Sequence, residues 1–273
     1  MPSLKDQELA YIAGYIKEKY GVNLESRHTL IESRLGYYLK SRGFKTYSDY
    51  FRYAKHDPTG AEMEGLIYRL TTNNTFFLRE SEQFEFFSGT VLPWIDSLPG
   101  GDDLRLWSAG CGAGEEPYGI SVCILDFVEK HCDKSDANTT ILASDISERA
   151  LTAAIEGIYP HEKLSALTPE RVSKYFIDLG NGFYRVSPRL RANVAFKKIN
   201  LLDKYATRWP FHAIFCRNIM QYFDTETRKM LAGHFFSVME PGAWLFVGQN
   251  ESLANIEHKF NYVQPSIYRK PFE

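Results

Sequence analysis

The stretch LRLWSAGCGAGEEPYGISVCILDFVEK, residues 104–130, constrains the fold more than any other part of this chain. It joins a short apolar run, a turn that contains Gly110, Gly112 and Gly114, and a long apolar segment. A second apolar run, TTILASDIS, follows and contains Asp145 near its end. Strand, glycine-rich turn, helix and strand in this order form a βαβ unit, which predicts a parallel sheet.

The first quarter of the chain has a helical pattern instead. Leu9, Ile12 and Ile16 recur at helical spacing, and three further helical runs follow before TTNNT. We predict a small, basic helical domain over residues 1–78 and a larger domain over 79–273. The run SEQFEFFSGTVLPWIDSL is predicted to be the helix that links them.

The larger domain is predicted to contain several more strands. FHAIFCRN and GAWLFVGQ are interpreted as buried strands, and FNYVQPSIYRK as an antiparallel hairpin. GFYRVSPRLRANVAFKK has two alternating segments around a turn, which predicts a hairpin on the flank of the sheet. We therefore expect a small β-subdomain at about 177–199.

Composition argues against several classes of protein. The net charge is −2, so the chain as a whole is neither a nucleic-acid binder nor an acidic tail. No apolar run approaches the roughly twenty residues that span a bilayer. The 4 cysteines lack metal-ligand spacing, and no secretory segment precedes them. We expect a cytoplasmic protein with reduced thiols, no bound metal and no membrane insertion.

Basic residues are concentrated in one part of the helical domain. Arg34, Arg42 and Lys45 belong to a run from Arg27 to Lys55 in which basic residues outnumber acidic ones. Such a run is typical of a solvated helix face. It is also consistent with a docking surface for an acidic protein or a phosphate backbone.

The glycine-rich turn predicts a ligand with a nucleotide or adenosine part, because glycines let a ligand approach the backbone closely. Glycine is also common in βα turns that bind nothing. Asp145 stands at the end of the second strand, where an acid accepts hydrogen bonds from ribose hydroxyls. The alternative for Asp145 is a cap of the next helix.

Glu115 and Glu116 favour one kind of cofactor over another. A pyrophosphate binds at a helix N-terminus because the amide groups and the helix dipole favour negative charge, and two carboxylates there would repel it. S-adenosylmethionine carries an ammonium and a sulfonium and no phosphate. The alternative is simple stabilisation of the helix dipole.

Five further motifs, one before the glycine-rich turn and four after it, follow each other in a recognisable order. They are TTNNTFFLRESEQF before the turn, then ASDIS, INLLD, FHAIFCRNIMQYFD and PGAWLFVGQNESL after it. In this order the motifs resemble CheR, the chemotaxis receptor methyltransferase family, over nearly the whole chain. The resemblance implies an α/β fold of the S-adenosylmethionine-dependent methyltransferase (Rossmann-like) class. This fold has a doubly wound sheet, an N-terminal helical domain and a small β-hairpin subdomain.

The resemblance also implies an activity and partners. The activity is transfer of a methyl group from S-adenosylmethionine to glutamate side chains on the cytoplasmic helices of chemoreceptors. The products are a glutamate methyl ester and S-adenosylhomocysteine. The implied partner is the methyl-accepting chemoreceptor, and no nucleic acid is expected. We expect a monomer.

Roles for individual residues follow from the resemblance as well. Cofactor contacts are implied for Asn73, Thr75, Arg79, Glu115, Asp145, Asn200, Leu201, Arg217 and Asn218. Arg79 and Tyr222 are implied at the methyl-transfer centre. Arg34, Arg42 and Lys45 are expected to dock the acidic receptor helices.

The residues alone would be interpreted differently. Arg79 would form a surface ion pair with Glu80 or Glu82, and Tyr222 would be a core residue. Departures from the family pattern occur at Ser108, where many such enzymes have an acid, and at Gln249-Asn250, where the family usually has His-Ser. The turn in DLGNGFYRV is short, so the sequence leaves open whether the β-subdomain binds a receptor tether as it does in some family members.

Four other functions stay open at this point. The chain could be a nicotinamide-dependent dehydrogenase, or a methylase of nucleic acid or a small molecule. The sequence after the fourth strand, Asn218 to Tyr222, lacks the Pro-Pro-aromatic run usual in amino-group DNA methylases. The chain could also methylate another signalling protein, or sense S-adenosylmethionine without turnover.

Overall fold

The computed structural model describes residues 3–71, 75–98, 103–131, 138–203 and 207–273. Helices open the chain: α1 (Asp6–Tyr20), α2 (His28–Ser41), α3 (Tyr47–His56) and α4 (Ala61–Thr71). In α1 the buried side chains include Leu9, Ile12 and Ile16, as the helical spacing predicts. Gly21 ends this helix with a φ angle of 70°, a conformation that favours glycine.

A helical connection leads to the larger domain. It consists of α5 (Ser81–Phe86), a π-helical turn (Phe87–Val91) and α6 (Leu92–Asp96). The predicted linking helix is therefore confirmed, with a π-helical turn in its middle. Phe84 and Phe87 are buried and pack against Phe215, which anchors this connection on the sheet.

The larger domain alternates strands and helices. The main sheet contains β1 (Asp103–Ala109), β2 (Asn138–Asp145), β6 (Val194–Lys198), β7 (Phe211–Cys216), β8 (Met239–Val247), β9 (Asn261–Gln264) and β10 (Ile267–Arg269). The order across the described part of this sheet is β6-β2-β1-β7-β8-β10-β9. The pairs from β6 to β8 are parallel, and β10 runs antiparallel to both β8 and β9. The predicted parallel sheet and C-terminal hairpin are confirmed.

Helices cover both faces of this sheet. They are α7 (Glu115–His131), α8 (Glu148–Glu156) and α11 (Thr225–Ser237). Alternate strand residues belong to two cores: Trp107 and Leu245 share one core with the N-terminal helices and α11. Leu106 and Phe246 share the other with α5 and α7. The doubly wound architecture with an N-terminal helical domain is confirmed.

The order of the strands defines where a ligand is expected. From β1 the chain builds one half of the sheet through β2 and β6, and it builds the other half through β7 and β8. In open α/β sheets ligands bind outside the carboxyl ends of the strands where the order reverses. That point lies between Ala109, which ends β1, and Cys216, which ends β7.

A small antiparallel sheet lies beside the main one. It consists of β3 (Ile158–Pro160), β4 (Phe176–Gly180) and β5 (Phe183–Val186), in the order β3-β5-β4. A 3₁₀ turn (His161–Leu164) and α9 (Pro169–Tyr175) connect β3 to β4.

The predicted pairing within 177–199 was wrong. Phe183–Val186 pairs with the preceding strand, because Asn181 and Gly182 have φ angles of 53° and 78° and form a two-residue hairpin turn. After β5, Ser187 caps the short helix α10 (Pro188–Arg191), and the chain crosses to the edge of the main sheet. There β6 pairs with β2 in parallel. The predicted boundary between the small helical domain and the larger domain at residue 78 stays a prediction.

Candidate active site

Glycines shape the turn between β1 and α7. Gly110, Gly112 and Gly114 have φ angles of 84°, 55° and 97°, which other residues rarely adopt. A Cβ on Gly110 would lie 2.5 Å from the Ile219 side chain, and one on Gly114 would lie 2.8 Å from the Tyr159 hydroxyl. A Cβ on Gly112 would meet nothing within 4 Å. Gly110 and Gly114 therefore allow close packing, whereas Gly112 borders open space.

Asp145 ties this turn to the end of β2. Its carboxylate accepts a hydrogen bond from the Gly112 amide at 2.9 Å and another from the Ser147 amide at 2.9 Å. Burial raises the pKa of the Asp145 carboxyl, and the amide donors act in the opposite direction. The cap of α8 is Ser147, whose hydroxyl accepts from the Ala150 amide. Asp145 is thus placed beside the glycine-rich turn rather than used as the helix cap.

A cavity of about 320 Å³ opens at the switch point of the sheet. Its wall includes many of the residues implied by the resemblance: Thr75, Arg79, Glu115, Asp145, Arg217 and Asn218. A smaller cavity of about 70 Å³ adjoins it and shares Asp145 as a wall residue. Asn200, Leu201 and Tyr222 line the smaller cavity. Asn73 lies outside the described residues.

Glu115 is the first residue of α7 and is almost fully buried. Its Oε1 lies 3.3 Å from Lys163 Nζ. Its Oε2 is buried and has no hydrogen-bond partner within the described part of the chain. Burial raises the pKa of Glu115, and the Lys163 ammonium opposes that shift. Because a buried carboxylate oxygen without a donor is unfavourable, the wall is suited to a ligand that supplies a cationic donor.

Glu116 is engaged inside the protein. Its Oε1 accepts a hydrogen bond from the Ser108 hydroxyl at 2.7 Å, and its Oε2 lies 3.0 Å from Arg217 Nη1. Burial raises the pKa of Glu116, and the Arg217 guanidinium lowers it. The two adjacent glutamates therefore differ, since Glu115 alone keeps a carboxylate oxygen without a partner.

Arg217 forms a buried charged network at the cavity wall. Its side chain is 3% exposed, and its Nη2 lies 3.1 Å from Glu80 Oε2. The same nitrogen donates to the Arg79 carbonyl, and the guanidinium lies over the Phe84 ring, 5.1 Å from its centroid. With Glu116 as the second carboxylate, Arg217 joins three segments that are distant in sequence. Its implied contact with the cofactor stays a prediction.

Asn218 follows in a left-handed conformation, with φ at 60°. Its side-chain amide donates to Glu80 Oε1 at 3.1 Å, and its backbone amide donates to Glu251 Oε2 at 2.9 Å. Glu251 also accepts from the backbone amides of Gly248 at 2.6 Å and Gln221 at 2.9 Å. Two carboxylates therefore fix the loop after β7.

Arg79 forms an ion pair and also lies on the wall of the larger cavity. Its Nε lies 3.7 Å from Glu80 Oε1, so the ion pair expected from the residues alone is present. The side chain is 26% exposed and also lines the larger cavity. The implied role of Arg79 at the methyl-transfer centre stays a prediction.

Tyr222 and Asn200 lie where the helical domain meets the larger one. Tyr222 is a buried core residue, and its carbonyl accepts from the Asn23 amide at 2.7 Å. The Asn200 side-chain amide donates to the Lys19 carbonyl at 3.2 Å. Val22, from the helical domain, also lines the smaller cavity. Their implied roles toward cofactor and substrate stay predictions.

The three expected docking residues differ in environment. Arg34 is partly buried, and its guanidinium donates to the carbonyls of Arg69 and Leu70 at the end of α4. Arg42 forms an exposed ion pair with Glu62 at 3.0 Å. Lys45 is exposed. Arg34 therefore has a structural role that the sequence did not suggest, and docking stays a prediction for all three.

Lys163 lines the larger cavity, and Glu80 and Glu251 contact its wall residue Asn218, but all three were missing from the sequence prediction. Glu80 stands next to Arg79 in FLRE, which suggested only a surface ion pair. Glu251 lies in the loop whose Gln249-Asn250 pair departs from the family pattern, yet the Gln249 amide donates to Glu80 Oε2 at 3.0 Å. Lys163 lies in an irregular stretch, and no pattern around it signals a site.

The described ranges contain neither a metal-binding cluster nor a membrane-spanning helix. No group of three or more His, Cys, Asp and Glu side chains there has the arrangement needed to hold a metal ion. In the same ranges, no helix combines the length and the apolar character that crossing a membrane requires.

Comparison with known proteins gives concordant matches. Residues 73–269 match the family described as CheR methyltransferase, SAM binding domain, and residues 7–71 match CheR methyltransferase, all-alpha domain. A chemotaxis protein methyltransferase of Borreliella burgdorferi is 34% identical over 98% of this chain and 95% of its own length. Chemotaxis protein methyltransferase 1 of Pseudomonas aeruginosa is 34% identical, with 93% and 94% covered. The chemotaxis protein methyltransferase of Escherichia coli is 31% identical, with 97% and 91% covered.

Proposed function

The chain belongs to the CheR methyltransferase family, and from that membership we propose that it methylates glutamate side chains on the cytoplasmic helices of chemoreceptors. It is an S-adenosylmethionine-dependent methyltransferase, since the matched domain is the S-adenosylmethionine-binding one. Relatives of nearly the same length are named chemotaxis protein methyltransferases, which supports a substrate in chemotaxis. The chemistry of the cavity supports a carboxylate as methyl acceptor.

The observation that carries the proposal is the half-partnered carboxylate of Glu115. The amino-acid end of S-adenosylmethionine has an ammonium, which supplies the charge-assisted hydrogen bond that Oε2 lacks. A pyrophosphate at the start of α7 would meet this buried acid, which disfavours a dinucleotide. When bound, the cofactor supplies an electrophilic methyl group on its sulfonium.

Other residues of the two cavities suit the rest of the cofactor. Gly112 borders open space beside the Asp145 carboxylate, which would accept hydrogen bonds from the ribose hydroxyls. Leu201 and Val22 give the smaller cavity apolar walls, and Asn200 adds a polar group, so this cavity would hold the adenine. These residues would bind and orient the cofactor at the carboxyl ends of β1 and β2.

A glutamate acceptor needs little chemical activation. Its pKa is about 4.3 in water, so it is an ionised nucleophile near neutral pH and needs no general base. The larger cavity agrees, because none of its described wall residues is a histidine and burial raises the pKa of Cys111 well above its ordinary value. Most of the rate enhancement would come from proximity and alignment. Arg79, on the wall of the larger cavity, would hold the substrate carboxylate, whereas Tyr222 lines the smaller cavity, and its implied role at the methyl-transfer centre stays a prediction.

The test is methyl transfer to receptor-containing membranes from S-adenosylmethionine labelled in its methyl group. The expected result is label on the receptor that mild base releases as methanol, as from a glutamate methyl ester. Label that resists base, or label on DNA added to the same reaction, would overturn the proposal. Arg79→Ala should bind S-adenosylhomocysteine yet lose most turnover, whereas Arg149→Ala, an exposed change on α8, should retain it. Full turnover by a folded Arg79→Ala protein would remove Arg79 from the mechanism.

A further inference from the structure

A third cavity, of about 540 Å³, lies beside the larger cavity. Phe76 lines both of them, so the two cavities adjoin on the segment that contains Arg79. Uncharged polar side chains form much of the wall of the third cavity: Ser81, Gln83, Gln249, Gln264 and Ser266. We call this space the amide cavity, after the three glutamines among them. Neither the cofactor nor the acceptor carboxylate placed above occupies it.

Gln83 provides a buried acceptor in the wall of the amide cavity. The residue is 5% exposed, and its Nε2 donates to the Val247 carbonyl at 2.9 Å. This bond fixes the orientation of the side-chain amide, because a carbonyl can accept only from the nitrogen. The Oε1 atom is buried and has no hydrogen-bond partner among the described residues. Since a buried acceptor without a donor is unfavourable, the cavity is suited to a ligand that brings an N–H or O–H group.

The charges around the amide cavity disfavour an acidic ligand. None of the described residues of its wall is basic, whereas Glu80 and Glu82 both line it. Glu80 is paired with Arg217, but Glu82 is exposed and adds a negative charge. The larger cavity differs, because Arg79, Lys163 and Arg217 line it. The two cavities therefore suit different side chains, a carboxylate beside Arg79 and an uncharged hydrogen-bond donor in the amide cavity.

The backbone around the amide cavity is held in uncommon conformations. Leu78, Glu80 and Ser266 line the cavity, and their φ angles are 54°, 62° and 65°. Residues other than glycine rarely adopt such angles, which concentrate at ligand sites because surrounding contacts must hold them. The Ser266 hydroxyl donates to the Gly248 carbonyl at 2.9 Å and fixes one of these residues. The wall is therefore preformed, which lowers the entropy lost on binding.

We propose that the amide cavity is a specificity subsite that binds the side-chain amide of a glutamine one helical turn from the acceptor glutamate. The inference rests on the proposed methylation of receptor helices and deepens it. Residues three or four positions apart lie on the same face of a helix, whereas adjacent residues do not. A helix that places its acceptor glutamate against Arg79 would therefore present such a neighbour on the same side, where the two cavities adjoin at Phe76.

A primary amide fits the groups of this wall better than other side chains do. Its nitrogen supplies the donor that Gln83 Oε1 lacks, and its oxygen can accept from the Ser81 hydroxyl. Alanine brings no donor, and an ionised glutamate only accepts, so neither could satisfy Gln83 Oε1. A lysine ammonium brings donors but no acceptor. A serine hydroxyl is carried on a single carbon and reaches less far from its helix.

The experiment measures methylation of receptor-containing membranes in which the methylated helix keeps one acceptor glutamate. A glutamine, an alanine or a glutamate is placed three or four residues from the acceptor, on either side. With the wild-type enzyme, glutamine at one or more of these positions should give the lowest KM. We expect a KM about five- to tenfold below that with alanine, the effect of one hydrogen bond to a buried group.

Two changes in the wall test whether the amide cavity is responsible. Gln83→Met removes the acceptor, so it should raise KM for the glutamine-bearing receptor to that of the alanine-bearing one and leave kcat unchanged. Gln249→Lys adds a cation at an exposed position of the wall and should turn the preference toward glutamate. Gln7→Met, an exposed change on α1, is the matched control and should keep the wild-type preference.

The pattern of KM values separates the outcomes. A wild-type KM that is the same for glutamine, alanine and glutamate at all four positions overturns the inference and leaves the proposed function standing. An equal rise in KM for every receptor in Gln83→Met would show that Gln83 only supports the fold, which also overturns the inference. Absence of methylation on every receptor, by a wild-type protein that binds S-adenosylhomocysteine, would instead overturn the proposed function.

Gln249→Lys keeps the test decisive if Gln83→Met does not fold. Gln249 is exposed, so its replacement is expected to leave the fold intact. A shift of preference from glutamine to glutamate in this variant supports the subsite. An unchanged preference for glutamine, in a variant that binds S-adenosylhomocysteine as wild type does, assigns the recognition to another surface and overturns the inference.

Discussion

Arg217 Nη2 lies 3.1 Å from Glu80 Oε2, and this contact joins the loop after β7 to the segment before α5 across 137 positions. The side chains are 3% and 11% exposed, so the pair is shielded from water. Glu80 also accepts from the Asn218 side chain and the Gln249 amide. The wall residue Arg217 is therefore held by an ion pair that links motifs far apart in the chain.

Arg217→Met should strongly destabilise the protein. Removing the guanidinium leaves buried Glu116 without a cation and Glu80 with only the more distant Arg79, and breaking a buried pair in this way typically costs about 3–5 kcal/mol. Urea unfolding measures this loss in the free energy of unfolding. Arg149→Met, on the exposed face of α8, should stay within about 0.5 kcal/mol of wild type.

The double variant Arg217→Met with Glu80→Gln sharpens the interpretation. Removing one uncompensated charge should restore part of the lost stability, because the penalty of the single change comes mostly from the acids left behind. A single-variant loss no larger than that of Arg149→Met would show that the network contributes little.

Glu115→Gln should separate stability from binding. Burial raises the pKa of this carboxyl above its unfolded value, so folding favours the protonated form. Stability contributed by that proton is present at low pH and is lost as the pH rises through the raised pKa. At pH values above the raised pKa, the free energy of unfolding of Glu115→Gln should therefore be at least that of wild type. Any excess stability of the glutamine variant should vanish as the pH falls below the ordinary pKa of glutamate.

Cofactor binding should show the opposite trend. The α-ammonium needs the ionised carboxylate, so wild-type affinity for S-adenosylhomocysteine should fall as the pH is lowered through the raised pKa. Glu115→Gln should bind weakly at every pH. Urea unfolding and calorimetry over a pH series give both quantities, with the exposed Glu162→Gln as control. A glutamine variant that binds as tightly as wild type would remove Glu115 from the site.

The sheet could be predicted because its strands are continuous apolar runs, and Trp107 and Phe215 are buried among them. The hairpin within 177–199 could not, because the half-exposed edge strand β6 has the same alternation as a hairpin arm. The pair Asn181-Gly182, with both φ angles positive, was the local signal that places the turn before β5. Alternation identifies a strand, but it does not identify the partner.

Residues of the candidate site could be predicted from the sequence where a local motif, such as a strand end or a helix start, contains them. Glu115 and Asp145 stand at strand ends or helix starts, and the structure brings both to one cavity. Lys163 and Glu80 act through contacts with residues distant in sequence, such as Lys163 with Glu115. Glu80 also has a φ angle of 62°, a conformation that its residue type does not suggest. Tertiary contacts of this kind leave no local pattern.

Asp145→Asn should weaken every adenosine ligand. The ribose is common to S-adenosylhomocysteine and 5′-methylthioadenosine, so both should lose about tenfold in affinity if the carboxylate accepts from the ribose hydroxyls. Because 5′-methylthioadenosine lacks the amino-acid part of S-adenosylhomocysteine, an equal loss for both ligands would assign the contact to the adenosine part that they share. Calorimetry with the exposed Asp49→Asn as control makes the comparison. Loss for S-adenosylhomocysteine alone would place Asp145 at the amino-acid end instead.

Lys45→Glu and Arg34→Ala should affect different properties. Lys45 is exposed, so reversing its charge should slow methylation of acidic receptor helices at low salt, with the difference shrinking as salt screens the surface. Stability should change by less than about 0.5 kcal/mol. Arg34 donates to two carbonyls at the end of α4, so Arg34→Ala should lower the free energy of unfolding by about 1–2 kcal/mol.

Comparing the two variants tests docking without confusing it with folding. If Lys45→Glu methylates receptor membranes at the wild-type rate over the whole salt range, the basic face of the helical domain does not dock the substrate. If Arg34→Ala slows methylation only as far as it unfolds the protein, Arg34 acts through α4 alone. A salt-dependent slowing in a fully folded Arg34→Ala protein would instead show that the Arg34 guanidinium of the wild-type protein attracts the receptor, because screening acts on charge and leaves buried hydrogen bonds largely unchanged.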